Sequence, residues 1–326
     1  MAALKVAFAD YGPASLLRNR EIAPHGFDLE FVDTGTPVQG MARMVRDLEF
    51  DFIDMSPTTF LAARSRGVPL VALPIALYAE FPHMLLWCRK AAGIRAPRDL
   101  IGKTIGVRTW LSPATVWMRG LLKTEYSVDL DSATWMTTVE DPIPGVVLPV
   151  NVRRSTTEPR AFKLLEMLHS GEIDVAIDAL TLQWHHALAL GKVDPGTVEP
   201  VFGDALEVTN ASYRRSQFVP VMHLVVTKQS TLDEKPEAAR AIYDAFREAK
   251  GSYIAGLKEH GVTRRAREAW LIARDEDNVE LLERGIEPLA IGAEAERSVA
   301  TLRNYMVEFS YLPAQPPTSS EFVTLP

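Results

Sequence analysis

Short runs of β-branched and aromatic residues alternate along the chain with amphipathic stretches of helical period, and that rhythm predicts an α/β fold. Val6 to Asp10 reads as a first strand, and the turn Tyr11-Gly12-Pro13-Ala14-Ser15 leads into a short helix. Met41, Met44, Val45 and Leu48 fall at helical spacing, after which Phe50 to Asp54 returns to a strand. Ser56-Pro57-Thr58-Thr59 then supplies an N-cap and a first-turn proline. A helix head of this kind leaves backbone N–H groups free for an anion, which makes Ser56 a candidate binding residue.

Much of the pattern recurs. Ile105 to Thr109 is again a strand, and Trp110-Leu111-Ser112-Pro113-Ala114-Thr115 repeats the turn, with Ser112 as the cap and Ala114, Trp117, Met118 and Leu121 as the buried stripe. A helix from Pro159 places Phe162, Leu165 and Leu168 on one face and stops at Gly171. Glu172-Ile173-Asp174-Val175 then mirrors Glu49-Phe50-Asp51-Phe52. The repetition predicts two lobes on one plan. Two similar extended segments, Pro82 to Lys90 and Pro220 to Lys228, read as hinge strands joining them. The first lobe is then discontinuous, residues 1–81 and 220–326, the second is 82–219, and a ligand cleft between them is expected. Farther on, Pro236 opens a helix with Ala238, Ile242, Ala245, Phe246 and Ala249 on its core face, and another helix carries Val299, Leu302, Met306 and Phe309. The charge-dense stretch from Glu259 to Asp277 reads as a solvated helical face, and Leu312 to Thr318 as a terminal linker.

Composition narrows the function classes. A chain of 326 residues with 47% hydrophobic and 24% charged residues fits a two-domain globular protein. A formal charge of -7 argues against nucleic acid or an anionic membrane as partner, because both require a basic surface. Cys88 is the single cysteine, so no intrachain disulfide forms. The most apolar region, Val68 to Cys88, is interrupted by three prolines and Glu80, and no membrane segment is expected. The first residues enter a strand without a secretory signal pattern, which predicts a cytoplasmic protein. Walker, dinucleotide, nucleophile-elbow and H-E-x-x-H motifs are missing, so neither cofactor nor metal is expected. His185 and His186 are adjacent, and on a helix neighbours point about 100° apart, too far to chelate one ion. Homo-oligomerisation is left open.

Polar chemistry concentrates in YRRSQFVPVMHLVVTK, residues 213–228. Arg214 and Arg215, read as a loop, offer planar cations suited to a carboxylate. In the strand that follows, His223, Val225 and Thr227 share one face and Met222, Leu224 and Val226 the other, so that one side is core and the other is open to line a site. His223 is either a core histidine or a site residue. His83, after Pro82, is either a turn anchor or a second site histidine. Thr109 and Trp110, with Ser112, form a further candidate surface, Trp110 serving either as an aromatic platform or as core.

The segments GVRTWLSPATVWMRGLLKTEYSVDLDSATW, LLEMLHSGEIDVAI and YRRSQFVPVMHLVVTK resemble the 4,5-dihydroxyphthalate decarboxylase family, over most of the chain. The resemblance implies a two-lobed type 2 periplasmic-binding-protein-like fold and decarboxylation of a hydroxylated aromatic acid without a cofactor. It places Arg214, Arg215 and His223 near the substrate. Two departures stand out. Where the family shows R-x-F-R-H-S, this chain has Ala79-Glu80-Phe81-Pro82-His83-Met84, and where an arginine follows the G-E-I-D strand it has Asp178-Ala179-Leu180. Fewer cations meet the ligand, so a substrate other than the phthalate, a small aromatic carboxylate, is expected. His223 is the expected proton donor, with His83 or Asp178 as partner of a ring hydroxyl. The alternatives are a solute-binding or sensor protein without catalysis, or another lyase on the same fold, such as a chorismate dehydratase.

Overall fold

Strands of both halves begin where an aspartate holds a neighbouring strand. The computed structural model describes residues 2–155, 163–177, 195–203, 205–261, 269–314 and 321–324. The chain divides into two units, Met1–Glu80 with Phe218–Pro326, and Phe81–Gln217. Among the described residues the helices are α1 (Gly12–Arg18), α2 (Pro37–Asp47), α3 (Pro57–Arg64), α4 (Pro113–Thr124), α5 (Lys163–Ser170), α6 (Ala205–Ser216), α7 (Gln229–Glu234), α8 (Ala238–His260), α9 (Ala269–Glu283) and α10 (Ala293–Glu308). None of them is long and apolar enough to cross a membrane.

In the first unit, β1 (Ala2–Ala7), β2 (Phe27–Phe31), β3 (Phe52–Met55), β4 (Leu70–Ala79) and β11 (Val221–Lys228) form a sheet ordered β2-β1-β3-β11-β4. β1 pairs in parallel with β2 and β3, whereas β11 runs antiparallel between β3 and β4. A strand in that central position is covered on both faces. Val221, Met222, Leu224, Val225, Val226 and Thr227 are each at most 2% exposed, so the expectation of one core face and one open face is corrected: only His223 and the terminal Lys228 of this strand are half-buried. Phe246 of α8 packs edge-on against Phe8 at 5.2 Å within the same core that holds Val6, Phe52 and Val225. Burying a side chain of that size stabilises the fold by about 2–3 kcal/mol. Residues 315–320 lie outside the described residues, but the end of the chain is more than a linker. Ala72 N donates to Glu321 O and Val323 N to Ala72 O, both at 2.9 Å, which caps part of the free edge of β4.

The second unit carries β5 (Leu86–Arg89), β6 (Thr104–Val107), β7 (Thr134–Thr137), β8 (Val152–Arg154), β9 (Val175–Ile177) and β10 (Val198–Pro200) in the order β10-β5-β9-β6-β7-β8. β5 is antiparallel to β9 and β10, and the remaining pairs are parallel. The two segments read as hinge strands are thus interior parts of separate sheets. Pro82–Leu85 is a 3-10 turn rather than strand, β5 belongs to the second sheet and β11 to the first.

The mirrored Glu-apolar-Asp pattern has a physical basis. Asp51 N donates to Lys5 O at 2.7 Å and Lys5 N donates back to Asp51 Oδ2 at 2.9 Å. In the second unit Asp174 N donates to Thr104 O at 2.9 Å and Thr104 N to Asp174 Oδ2 at 3.1 Å. Each aspartate therefore closes a reciprocal pair at the start of a strand and fixes register there.

Candidate functional site

His223 sits where the β11–β4 ladder is irregular. β4 contains Pro74, which cannot donate to a ladder, and the pairing with β11 shifts register on both sides of His223. Such irregularities re-aim a side chain. His223 faces Tyr78 in the register, and their rings meet edge-on at 6.1 Å. On the other flank Asp54 of β3 stands opposite Val225, one diagonal step from His223 on the same face. The result is a contact between His223 Nδ1 and Asp54 Oδ1 of 2.7 Å, with the carboxylate side chain 5% and the imidazole 19% exposed. Tyr11, the N-cap of α1, donates from its hydroxyl to Asp54 Oδ2 at 2.6 Å and lies 3.3 Å from His223 Nδ1.

A carboxylate oxygen is an acceptor, so the contact suits the tautomer with its proton on Nδ1. A histidine oriented by a buried carboxylate is a general acid or base in form. Neither Asp54 nor Tyr11 was singled out in the sequence, although Asp54 closes a predicted strand and Tyr11 opens a predicted turn.

Ser56 follows Asp54 by two residues and caps α3 as expected, accepting from Thr59 N at 3.2 Å and bonding Thr59 Oγ1 at 2.8 Å. Its hydroxyl is committed to the cap, and it is 3% exposed.

The second unit holds the other expected residues. Ser112 caps α4, accepting from Thr115 N at 3.2 Å, while Thr115 Oγ1 donates to Thr109 O at 3.2 Å. Asp141 accepts from Leu111 N at 2.7 Å and anchors the turn; burial pushes its carboxyl up. Trp110 is 2% exposed, lies under the Arg119 guanidinium at 4.3 Å and meets Trp135 edge-on at 5.5 Å, so the platform reading is corrected to core.

Arg214 and Arg215 stand in the last turn of α6, not in a loop. The buried side of that helix carries Thr209 and Ser212, at 2% and 4% exposure, so its period is written in small polar residues. Adjacent helical residues diverge, and the two guanidinium groups do not act as one clamp. Arg215 is ion-paired with Glu125, the C-cap of α4, and Arg214 is exposed. Burial raises the Glu125 carboxyl against the pull of Arg215. His83 is 1% exposed, packed against Phe202 at 5.1 Å and Tyr126 at 6.3 Å, with Nε2 4.0 Å from Glu125 Oε2. Neither ring nitrogen has a hydrogen-bond partner among the described residues. Burial, then the charge of Arg215, lowers its pKa to about 4, so the ring is neutral at neutral pH and does not serve as a cationic acid. Asp178, His185 and His186 lie outside the described residues. No cluster of metal-ligating side chains occurs among the described ones.

The NMT1/THI5 like family model matches residues 23–141. The 4,5-dihydroxyphthalate decarboxylase of Comamonas testosteroni is 26% identical over 269 residues, 80% of this chain and 78% of that protein. The chain is a distant relative of the 4,5-dihydroxyphthalate decarboxylases. The 4,5-dihydroxyphthalate decarboxylase of Pseudomonas putida is 26% identical to this chain over 185 residues, 53% of this chain and 69% of that protein. Among solved structures, the Escherichia coli periplasmic aliphatic sulphonate binding protein SsuA matches with a TM-score of 0.61 at 13% identity, covering 97% of this chain and 95% of that one. The desulfurization enzyme DszB matches at 0.60 and 13% identity, covering 97% and 94%. These likenesses fix the fold of this chain as the type 2 periplasmic-binding-protein fold, with two lobes built on mixed sheets. One fold thus carries a binding protein and an enzyme, and the activity of this chain rests on its own residues.

Proposed function

We propose that the protein decarboxylates a hydroxylated aromatic monocarboxylate and that His223 is the proton donor. The observation that carries this reading is the 2.7 Å contact between His223 Nδ1 and the buried Asp54, which leaves Nε2 to exchange protons. Distant relation to the phthalate decarboxylases supplies the substrate class.

Direct loss of carbon dioxide from an aromatic ring leaves a carbanion in the ring plane, orthogonal to the π system and unstabilised by it. Protonating the ipso carbon first avoids that species. In the proposed step the Nε2–H bond breaks and a C–H bond forms at the ipso carbon, while a ring hydroxyl ortho or para to the carboxylate gives its proton to solvent and becomes a carbonyl. The bond to the carboxylate carbon then breaks, its electron pair restores the aromatic ring, and the oxygen regains a proton. The sum is carboxylate plus proton giving arene plus carbon dioxide. His223 is recharged from solvent through its exposed edge. Asp54 stabilises the imidazolium, and a positioned acid of this kind contributes about a hundredfold to ten-thousandfold in rate. For the substrate carboxylate the candidate cation is Arg214, since Arg215 already pairs with Glu125.

A second reading, a binding protein without chemistry, draws on the likeness to SsuA, which is one of fold. The test is a screen of hydroxylated benzoates and phthalates for carbon dioxide release by the purified protein and its His223→Asn variant. Release that the variant loses supports the decarboxylase; calorimetric binding with no release by either supports the second reading.

A further inference from the structure

Tyr11 contributes one proton, and its hydroxyl meets both Asp54 and His223. It donates to Asp54 Oδ2 at 2.6 Å and lies 3.3 Å from His223 Nδ1, which is itself 2.7 Å from Asp54 Oδ1. The three groups close a ring. Asp54 and Tyr11 are 7% exposed, so the contacts operate away from bulk water, where hydrogen bonds and charges are strengthened. The three groups come from separate elements: β3 supplies Asp54, β11 supplies His223, and Tyr11 caps α1.

We propose that the Tyr11 hydroxyl is a positioning residue for His223: it holds the Asp54 carboxylate in place and takes part of its charge, which sets the tautomer and the acidity of the imidazole. The proposal rests on the reading of His223 as the proton donor and adds how its strength is set. Among the described residues, the titratable groups that meet the His223 ring are Asp54 from β3, Tyr11 at the head of α1 and Tyr78 from β4.

The two possible losses act in opposite directions. Without the Tyr11 hydroxyl, the whole carboxylate charge falls on Nδ1–H and the imidazolium is held more firmly. Without the charge of Asp54, the imidazolium loses its counterion. A role confined to packing moves neither.

The experiment is NMR of the histidine ring nitrogens in the intact protein across pH, with His223 assigned by its disappearance in His223→Asn. The expected wild-type spectrum shows the neutral ring protonated at Nδ1. Tyr11→Phe is expected to raise the His223 midpoint by about 0.5 in pH or more, and Asp54→Asn to lower it by a similar amount or more. A neutral ring protonated at Nε2, midpoints that move in one direction, or midpoints that do not move overturn the proposal. The wild-type tautomer is read without any substitution, so the proposal stays testable if a variant fails to fold. Turnover is measured separately. The expected NMR pattern in a protein that releases no carbon dioxide sinks the decarboxylase reading and leaves the positioning role of Tyr11 intact.

Discussion

His223 and Asp54 lie 169 residues apart in the chain and 2.7 Å apart in the structure, Nδ1 to Oδ1. The insertion of β11 antiparallel to β3 brings them together, and the irregular ladder on the β4 side turns the ring toward the carboxylate.

Replacing His223 with asparagine keeps the bulk and a donor for Asp54 but removes the titratable proton. The expected result is a fall in kcat of about a hundredfold or more with little change in KM. Steady-state kinetics on the best substrate of the screen, with thermal melting as control, decides it: a variant that melts several degrees lower yet turns over normally assigns His223 to structure.

The arginines are expected to separate. Arg214→Ala should raise KM by about tenfold, the loss of one charge-assisted hydrogen bond, and Arg215→Ala by less than about threefold because its guanidinium is committed to Glu125. Equal effects, or the reverse order, place the carboxylate on Arg215.

His83 gives the fold an acid limit. Its pKa falls from 6.5 to about 4, so the unfolded chain takes up the proton first. Stability linked to this group is fully present above about 6.5 and is lost as pH falls toward 4, a loss of roughly 2 kcal/mol by pH 5. His83→Leu removes the titration. Urea unfolding at pH 7 and pH 5 should show the gap between the two narrowing in the variant; an unchanged gap places the acid sensitivity elsewhere.

Substrate choice follows from the run Ala79-Glu80-Phe81-Pro82, where the family pattern carries two arginines. Monocarboxylic hydroxybenzoates are expected to give a higher kcat/KM than 4,5-dihydroxyphthalate. A clear preference for the phthalate would show that cations from another part of the chain replace those two.

Local rules were legible in the sequence because local atoms satisfy them. Ser56 and Ser112 cap their helices through bonds to Thr59 and Thr115 three residues on, and the Glu-apolar-Asp repeat marks the aspartates that pair with Lys5 and Thr104. Helix α6 was missed for a physical reason: Thr209 and Ser212 form its buried side, so no apolar period announced it and Arg214 and Arg215 read as a loop. Trp110 was ambiguous because an indole suits a core and a platform equally, and only the packing of Arg119 and Trp135 around it decided. His83 and His223 look alike in sequence, each a few residues after or beside a proline. What separates them is tertiary: aromatic packing and burial hold one neutral, whereas strand order gives the other the Asp54 carboxylate, the Tyr11 hydroxyl and an open edge. A residue's type and its neighbours along the chain set what it is able to do, but strand order and desolvation, which depend on residues far off in sequence, decide which of two identical side chains is held neutral and which stands against a carboxylate.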